Sequence, residues 1–380
     1  MNEMKKIVEE YVAAHVKEAE ELLMELGRIP APSHMEDQRA AFCRNWFLAQ
    51  GAGDVAIDSA KNVICKLNCT EDNDLAVFMA HTDIVFPDME PLKMSLEGRT
   101  LFAPGIGDDT ANLVNLMMAA KYLIQEKPEM KSGIMIVANS CEEGLGNLDG
   151  SKEIIRAYGH RIKAFYSFDG YMSQCTYSAV GSYRYKITVK TAGGHSWLNF
   201  GSPNAIQILS GLIGKLYEMK VPDTDRTTYN VGHMQGGTTV NTIAQEASML
   251  FEFRSTSQSC LEYMEKQFED IIEGYTGDYE ITTELLGVRP GNGEIDQDSL
   301  KAYTDLSADV IREFYEGELD FGAYSTDANI PLSRGILSNT VGTIIGAKAH
   351  TREEWVDLDS IPAGMKIVLS LLLHYVYPLV

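Results

Sequence analysis

The chain has 380 residues, 45% of them apolar and 23% charged, a composition that excludes a disordered, collagen-like or coiled-coil protein and fits roughly two or three globular domains. Lys and Arg number 32 against 54 Asp and Glu, a formal net charge of −22, and so acidic a surface repels nucleic-acid phosphates and anionic membranes. Solubility accounts for acids in general, whereas a subset can hold cations, and only position along the chain separates the two.

The first 27 residues form a helix pattern, with Ile7, Tyr11, Leu22, Leu23 and Leu26 on one stripe and a stop at Gly27 before Pro30 and Pro32. The segment has no apolar leader core, and no run of about 18 apolar residues follows anywhere, so neither a secretory signal nor a membrane span is expected. A second helix is predicted over 36–50, then strands at Val55–Ile57, Val63–Leu67 and Leu75–Ala80, and a helix over 111–125. Gly133–Asn139 and Ala164–Phe168 are continuous apolar runs suited to buried strands. Strands alternating with helices predict an α/β sheet covered on both faces. Cys43, Cys65, Cys69, Cys141, Cys175 and Cys260 form no CxxC pair, and nothing near Cys65 and Cys69 completes a zinc site. They read as reduced thiols of a cytoplasmic protein.

The pattern then changes. Tyr183, Tyr185, Ile187 and Val189 alternate with polar residues, as in a half-buried strand. A helix over 203–219, strands at 227–234 and 248–254, a helix over 258–274 and a strand at 279–285 complete the order β-α-β-β-α-β. That order is the split ferredoxin-like unit. Residues 180–287 are therefore expected to form an inserted α+β domain, and 1–179 with 288–380 a discontinuous α/β domain.

Polar clusters stand where apolar strands end. They are His81-Thr82-Asp83, Gly105-Ile106-Gly107-Asp108-Asp109, Glu142-Glu143-Gly144 and Phe168-Asp169-Gly170. In an open α/β sheet, ligands bind at the carboxyl ends of the strands. A lone His-x-Asp or acidic pair is ordinarily a solvated loop. Several acidic clusters converging on one sheet edge repel each other unless cations compensate. His and carboxylate ligands without thiolates suit Zn, Mn or Co.

These motifs, with Gly346-Ala347-Lys348-Ala349-His350-Thr351, resemble the co-catalytic metallopeptidases that include peptidase T, carboxypeptidase G, aminoacylase and succinyl-diaminopimelate desuccinylase. The resemblance covers essentially the whole chain and is closest to peptidase T-like members. It implies a zinc-peptidase-like catalytic domain with an inserted lid or dimerisation domain. It implies two divalent metals, Zn first, held by His81, Asp108, Glu143, Asp169 and His350, with Asp108 bridging. Glu142 is then the general base and Asp83 the residue behind His81. Metals about 3.5–4 Å apart share and acidify a water and polarise the scissile carbonyl. Glu142 takes the proton and delivers it to the leaving amine. The resemblance also implies a cis peptide at Asp108–Asp109.

In the inserted domain, Gly193-Gly194-His195-Ser196 resembles a histidine loop that reaches the active site of a partner subunit, hence a homodimer. Gly236-Gly237-Thr238-Thr239-Val240-Asn241 resembles a substrate loop, and Arg254, off the apolar face of Met249, Phe251 and Phe253, can meet a substrate carboxylate or form a surface ion pair. Thr110 after the Asp pair, where many members have Lys, and Trp197 after His195-Ser196 depart from the family pattern. The expectation is hydrolysis of small peptides as a tripeptide aminopeptidase. N-acyl-amino-acid deacylation or carboxypeptidase action by the same site is the alternative.

Overall fold

In a computed structural model, residues 2–130, 132–144, 146–275 and 277–376 are described. The chain divides into two compact units, 1–178 with 294–380, and 179–293.

The first unit is built on a seven-stranded mixed sheet in the order Val55–Ile57, Val63–Leu67, Gly133–Asn139, Leu75–His81, Ile162–Phe168, Leu337–Val341, Cys175–Thr176. Leu75–His81 runs parallel to its neighbours on both sides, and Ile162–Phe168 runs parallel to Leu337–Val341. Their apolar continuity follows from burial on both faces. Ala76, Phe78 and Ala80 pack with the helices Asn2–Leu26, Ala111–Glu126 and Ile361–Leu373. Leu75, Val77 and Met79 pack on the other side with Ile154 of the helix Asp149–Tyr158. Phe78, wholly buried, stacks on Tyr166 at 5.3 Å, and truncating such a ring to Ala costs about 3–5 kcal/mol.

From Leu75–His81 the chain crosses to the neighbour on one side, Gly133–Asn139, and then returns to the neighbour on the other, Ile162–Phe168. This is a topological switch point, and the crevice it opens lies at the carboxyl end of the central strand, where His81 stands. A second, four-stranded sheet orders Gly346–Ala347, Trp355–Asp357, Thr100–Phe102 and Ser95–Glu97. It ties the 346–357 segment to the strands that precede the Gly105–Asp109 loop.

The predicted elements of this unit are present, with the 36–50 helix starting at Asp37 and the central strand extending to His81. The helix Asp149–Tyr158 and the hairpin Ser95–Glu97/Thr100–Phe102 lie outside the sequence prediction. The helix has little apolar stripe to announce it, with buried Ile154 flanked by Ser151, Lys152 and Glu153. The hairpin is two three-residue strands, one fully exposed.

The second unit is an antiparallel sheet in the order Thr227–Gly236, Glu246–Ser255, Gly181–Lys190, Glu280–Arg289, with helices Ala205–Leu216 and Gln258–Gly274. This is the ferredoxin-like order. The first helix starts at Ala205 rather than Pro203 because Asn204 caps it, accepting the N–H groups of Ile206 and Gln207. The last strand runs to Arg289, four residues beyond the predicted end. All six cysteines are free thiols, and no helix among the described residues is long and apolar enough to cross a membrane.

Candidate metal centre

Four parallel strands deliver the site. His81 ends Leu75–His81 and is register partner of Asn139, from which the chain turns into Glu142 and Glu143. Asp169 follows Phe168, and its N–H bonds to Val341 O at 3.1 Å. Val341 leads into the turn that carries His350. Lys348 and His350 both hold left-handed backbone, φ 65° and 64°, a conformation costly for residues other than glycine and concentrated at functional sites. The Tyr171 hydroxyl accepts the Ala349 N–H and steadies this turn.

His81, Asp108 and Asp169 bring one ligand atom each within 4.8 Å of one another, and so do Asp108, Glu143 and His350. Asp108 is common to both groups. Its Oδ1 lies 3.0 Å from His81 Nε2 and its Oδ2 3.0 Å from His350 Nε2. His350 Nε2 is 3.3 Å from Glu143 Oε2. The sequence-predicted ligands are thus brought together, around one carboxylate with an oxygen facing each side. The Asp108–Asp109 peptide is cis.

The predicted base and its support also converge. Glu142 is buried next to Glu143 and belongs to neither group. Asp83 accepts the N–H groups of Glu142 at 2.9 Å and Glu143 at 3.0 Å, and the Ser33 hydroxyl at 2.6 Å. One Asp83 oxygen is 3.4 Å from His81 Nδ1, and the Asp83 carbonyl lies 3.0 Å from the same nitrogen. Asp83 therefore fixes both the imidazole and the acidic turn. Asp109 accepts the His81 N–H at 2.9 Å and the Asn112 amide at 2.7 Å, which pins the loop to the strand end.

Three further buried groups escape the sequence reading. Glu354 accepts the N–H groups of Gly105, Gly107 and Asp108 at 2.7–2.8 Å. Asp327 accepts the Asn139 amide at 2.6 Å. Arg39, wholly buried, donates to the carbonyls of Ile29 and Thr82 and to Thr110 Oγ1. Thr110 thus acts as acceptor to a buried cation, which gives that family departure a local role. The glycines flanking Asp108 are the one sequence trace of Glu354; nothing local marks the other two.

The charges of the centre bear on the fit of cations. Burial pushes Glu143 up to about 8, with the Asp108 charge adding to it. Burial, Asp169 and Asp108 push Asp109 well above the carboxylate range. Burial and the Glu142 charge do the same to Asp327. Burial alone would raise Asp108, yet hydrogen bonds from His350 and His81 hold it below its ordinary value. Contacts with Asp108 and then Glu143 raise His350 to about 11. Buried acids thus outnumber the cations beside them, and Glu143 Oε1 is buried with no hydrogen-bond partner. Divalent cations among imidazoles and carboxylates answer both features. The residues fit a pair of metal ions.

His195, Asn241 and Arg254 belong to the second unit. His195 and Asn241 come together, since Gly194–His195 pairs with Thr242–Ile243 and Ser196 N–H bonds to Asn241 O at 3.0 Å. Arg254 stands apart from that pair. Its guanidinium leaves the apolar face but makes two 3.0 Å bonds to Glu252, which lies two residues earlier on the same side of the strand. The ion-pair alternative is the arrangement observed.

The sequence pattern of Peptidase family M20/M25/M40 matches residues 77–374. The uncharacterized protein YqjE of Bacillus subtilis is 25% identical over 334 residues, covering 84% of this chain and 86% of that protein. Succinyl-diaminopimelate desuccinylase of Nitrosomonas eutropha is 25% identical over 236 residues, 57% of this chain and 62% of that enzyme. A tripeptidase of Staphylococcus aureus shares the fold with a TM-score of 0.73 at 22% identity, over 94% of this chain and 97% of that one. The chain belongs to the M20/M25/M40 peptidase family and is a metallopeptidase or amidohydrolase.

Proposed function

We propose that this member of the M20/M25/M40 family is a di-metal aminopeptidase that cuts small peptides, of the tripeptidase type. The observation that carries the reading is the pair of ligand groups meeting at Asp108 with Glu142 beside them and outside both. His81, Asp108 and Asp169 would hold one ion, and Asp108, Glu143 and His350 the other. When bound, the ions polarise the scissile carbonyl and acidify the attacking water.

The side chains of the chain do the rest. Glu142 lies outside both ligand groups, and its carboxylate is assigned to take the proton of the water. It then delivers that proton to the leaving amine. Asp83 holds the Glu142 and Glu143 amides, which keeps base and ligand in fixed relation. It also orients the His81 ring, the usual role of a carboxylate behind a metal-binding histidine. His195 and Asn241 are assigned to the substrate, His195 from the partner subunit of a homodimer. Zn is the first choice of metal, with Mn or Co as substitutes.

The fold likeness to a tripeptidase favours a free α-amine in the substrate. The 25% identity to a desuccinylase favours the second reading, an N-acyl-amino-acid amidohydrolase. Turnover of tripeptides, N-acyl amino acids and N-blocked peptides, with Zn, Mn or Co added, separates the two. Tripeptides cleaved from the amino end are expected; hydrolysis confined to acyl or blocked substrates refutes the aminopeptidase reading.

A further inference from the structure

Glu354 is wholly buried and belongs to neither ligand group. Its Oε1 accepts the N–H groups of Gly107 and Asp108 at 2.7 Å, and its Oε2 that of Gly105 at 2.8 Å. Converging backbone donors around one anion form a nest, here closed on a side chain of the same molecule. Neither glycine leaves space for a larger residue. Gly105 has φ 68°, and a Cβ there would meet Ile84. A Cβ on Gly107 would stand 3.2 Å from Glu354 Oε1 and 3.3 Å from Val356.

Glu354 is itself anchored. Its carbonyl accepts the Ala103 N–H at 3.1 Å, and the strand after it, Trp355–Asp357, pairs with Thr100–Phe102. The nest is therefore gripped at both ends by the four-stranded sheet. His350 lies four residues before Glu354 on the same segment. One short stretch thus supplies a ligand to one side of Asp108 and the backbone clamp beneath it.

We propose that Glu354 is the positioning residue for the bridging carboxylate, so that its loss weakens both metal ions together. This rests on the di-metal reading. The peptide N–H bonded to Glu354 Oε1 belongs to Asp108 itself. Releasing it lets that peptide rotate and swings both Asp108 oxygens, one facing His81 and the other His350. A residue that merely fills space would leave the two ions as they are, and a residue serving one ligand would weaken one ion.

The test is titration of the metal-free protein with Co(II), followed by its visible absorption, in wild type, E354Q, G107A and D169N. Gln keeps an acceptor for Gly107 and Asp108 but turns an NH₂ towards the Gly105 N–H, donor against donor. G107A crowds the same carboxylate without changing its charge. Wild type is expected to bind Co(II) at both groups. E354Q and G107A are expected to bind both ions about 10–100-fold more weakly, with altered absorption bands, while D169N weakens one ion. E354Q that binds both ions as wild type does, or loses only one, overturns the proposal. If E354Q fails to fold, G107A decides on the same criteria. A wild type that takes up no Co(II) refutes the di-metal reading instead and is thereby distinguished from failure of the Glu354 proposal.

Discussion

The metal centre and the His195 loop carry site candidates of opposite character. His81 is 1% exposed, and Asp83 and Asp109 are wholly buried, each fixed by hydrogen bonds to segments distant in sequence. In the His195 loop, Trp197 is 82% and Phe200 91% exposed, and Val240 of the Gly236–Asn241 loop is 102% exposed. Bonds of the His195 loop to side chains are local, such as His195 N–H to Asn199 Oδ1 at 2.9 Å and Trp197 N–H to His195 Nδ1 at 3.2 Å. A centre that must hold charge in a fixed place is built largely inside a sheet edge, with His350 its exposed ligand. A group that must meet substrate can stand on a loop.

The largest effect expected from breaking this contrast is at Glu142. E142Q is expected to lower kcat by about 10²–10⁴-fold, with metal content measured by elemental analysis unchanged. Unchanged activity would remove Glu142 as the base. Next is the exposed loop. If His195 donates to the developing oxyanion, H195A lowers kcat by about 10²–10³-fold at wild-type metal content and melting temperature. An intact kcat refutes its assigned role and leaves the metal centre as the whole catalytic apparatus.

Asp83 tests the buried side. D83N weakens the grip on His81 and on the Glu142–Glu143 amides and is expected to cost about 10–100-fold in metal affinity or activity. Chelation tests the fit of the ions to the fold. At free metal about 100-fold above Kd, the bound pair stabilises the folded state by at least about 2.7 kcal/mol, so a chelator lowers Tm in a calorimetric scan. The smallest effect is at Arg254, which forms a half-buried ion pair with Glu252. R254A is expected to change stability by no more than about 1 kcal/mol and KM not at all. A large rise in KM would instead make Arg254 a substrate contact.

The same contrast governs what the sequence makes legible. Leu75–His81 and Gly133–Asn139 read as buried strands because both faces are covered, which leaves continuous apolar runs ending in His81 and before Glu142. The ligands stand at those ends, so strand order alone gathers them. Glu354 and Arg39 leave no such trace, since their partners are backbone groups brought near only by tertiary folding; Glu354 and Gly105 are 249 positions apart. Asp327 likewise reaches Asn139 across 188 positions. The helix Asp149–Tyr158 hides for another reason, a narrow apolar stripe between charged residues. In the inserted unit, alternation at Tyr183, Tyr185, Ile187 and Val189 marks the strand. The pairing of Arg254 with Glu252 depends on which side-chain partner the guanidinium takes, and local pattern does not decide that.

One carboxylate, Asp108, is common to both ligand groups. Metal bound per chain, measured after dialysis for wild type, D169A and D108A at equal free Zn, tests it most directly. Two ions are predicted for wild type, from its two ligand groups. The D169A protein should keep only the ion of the Asp108, Glu143 and His350 group, and D108A should keep neither. A D108A protein that holds either ion with wild-type affinity would show that Asp108 is not a shared ligand.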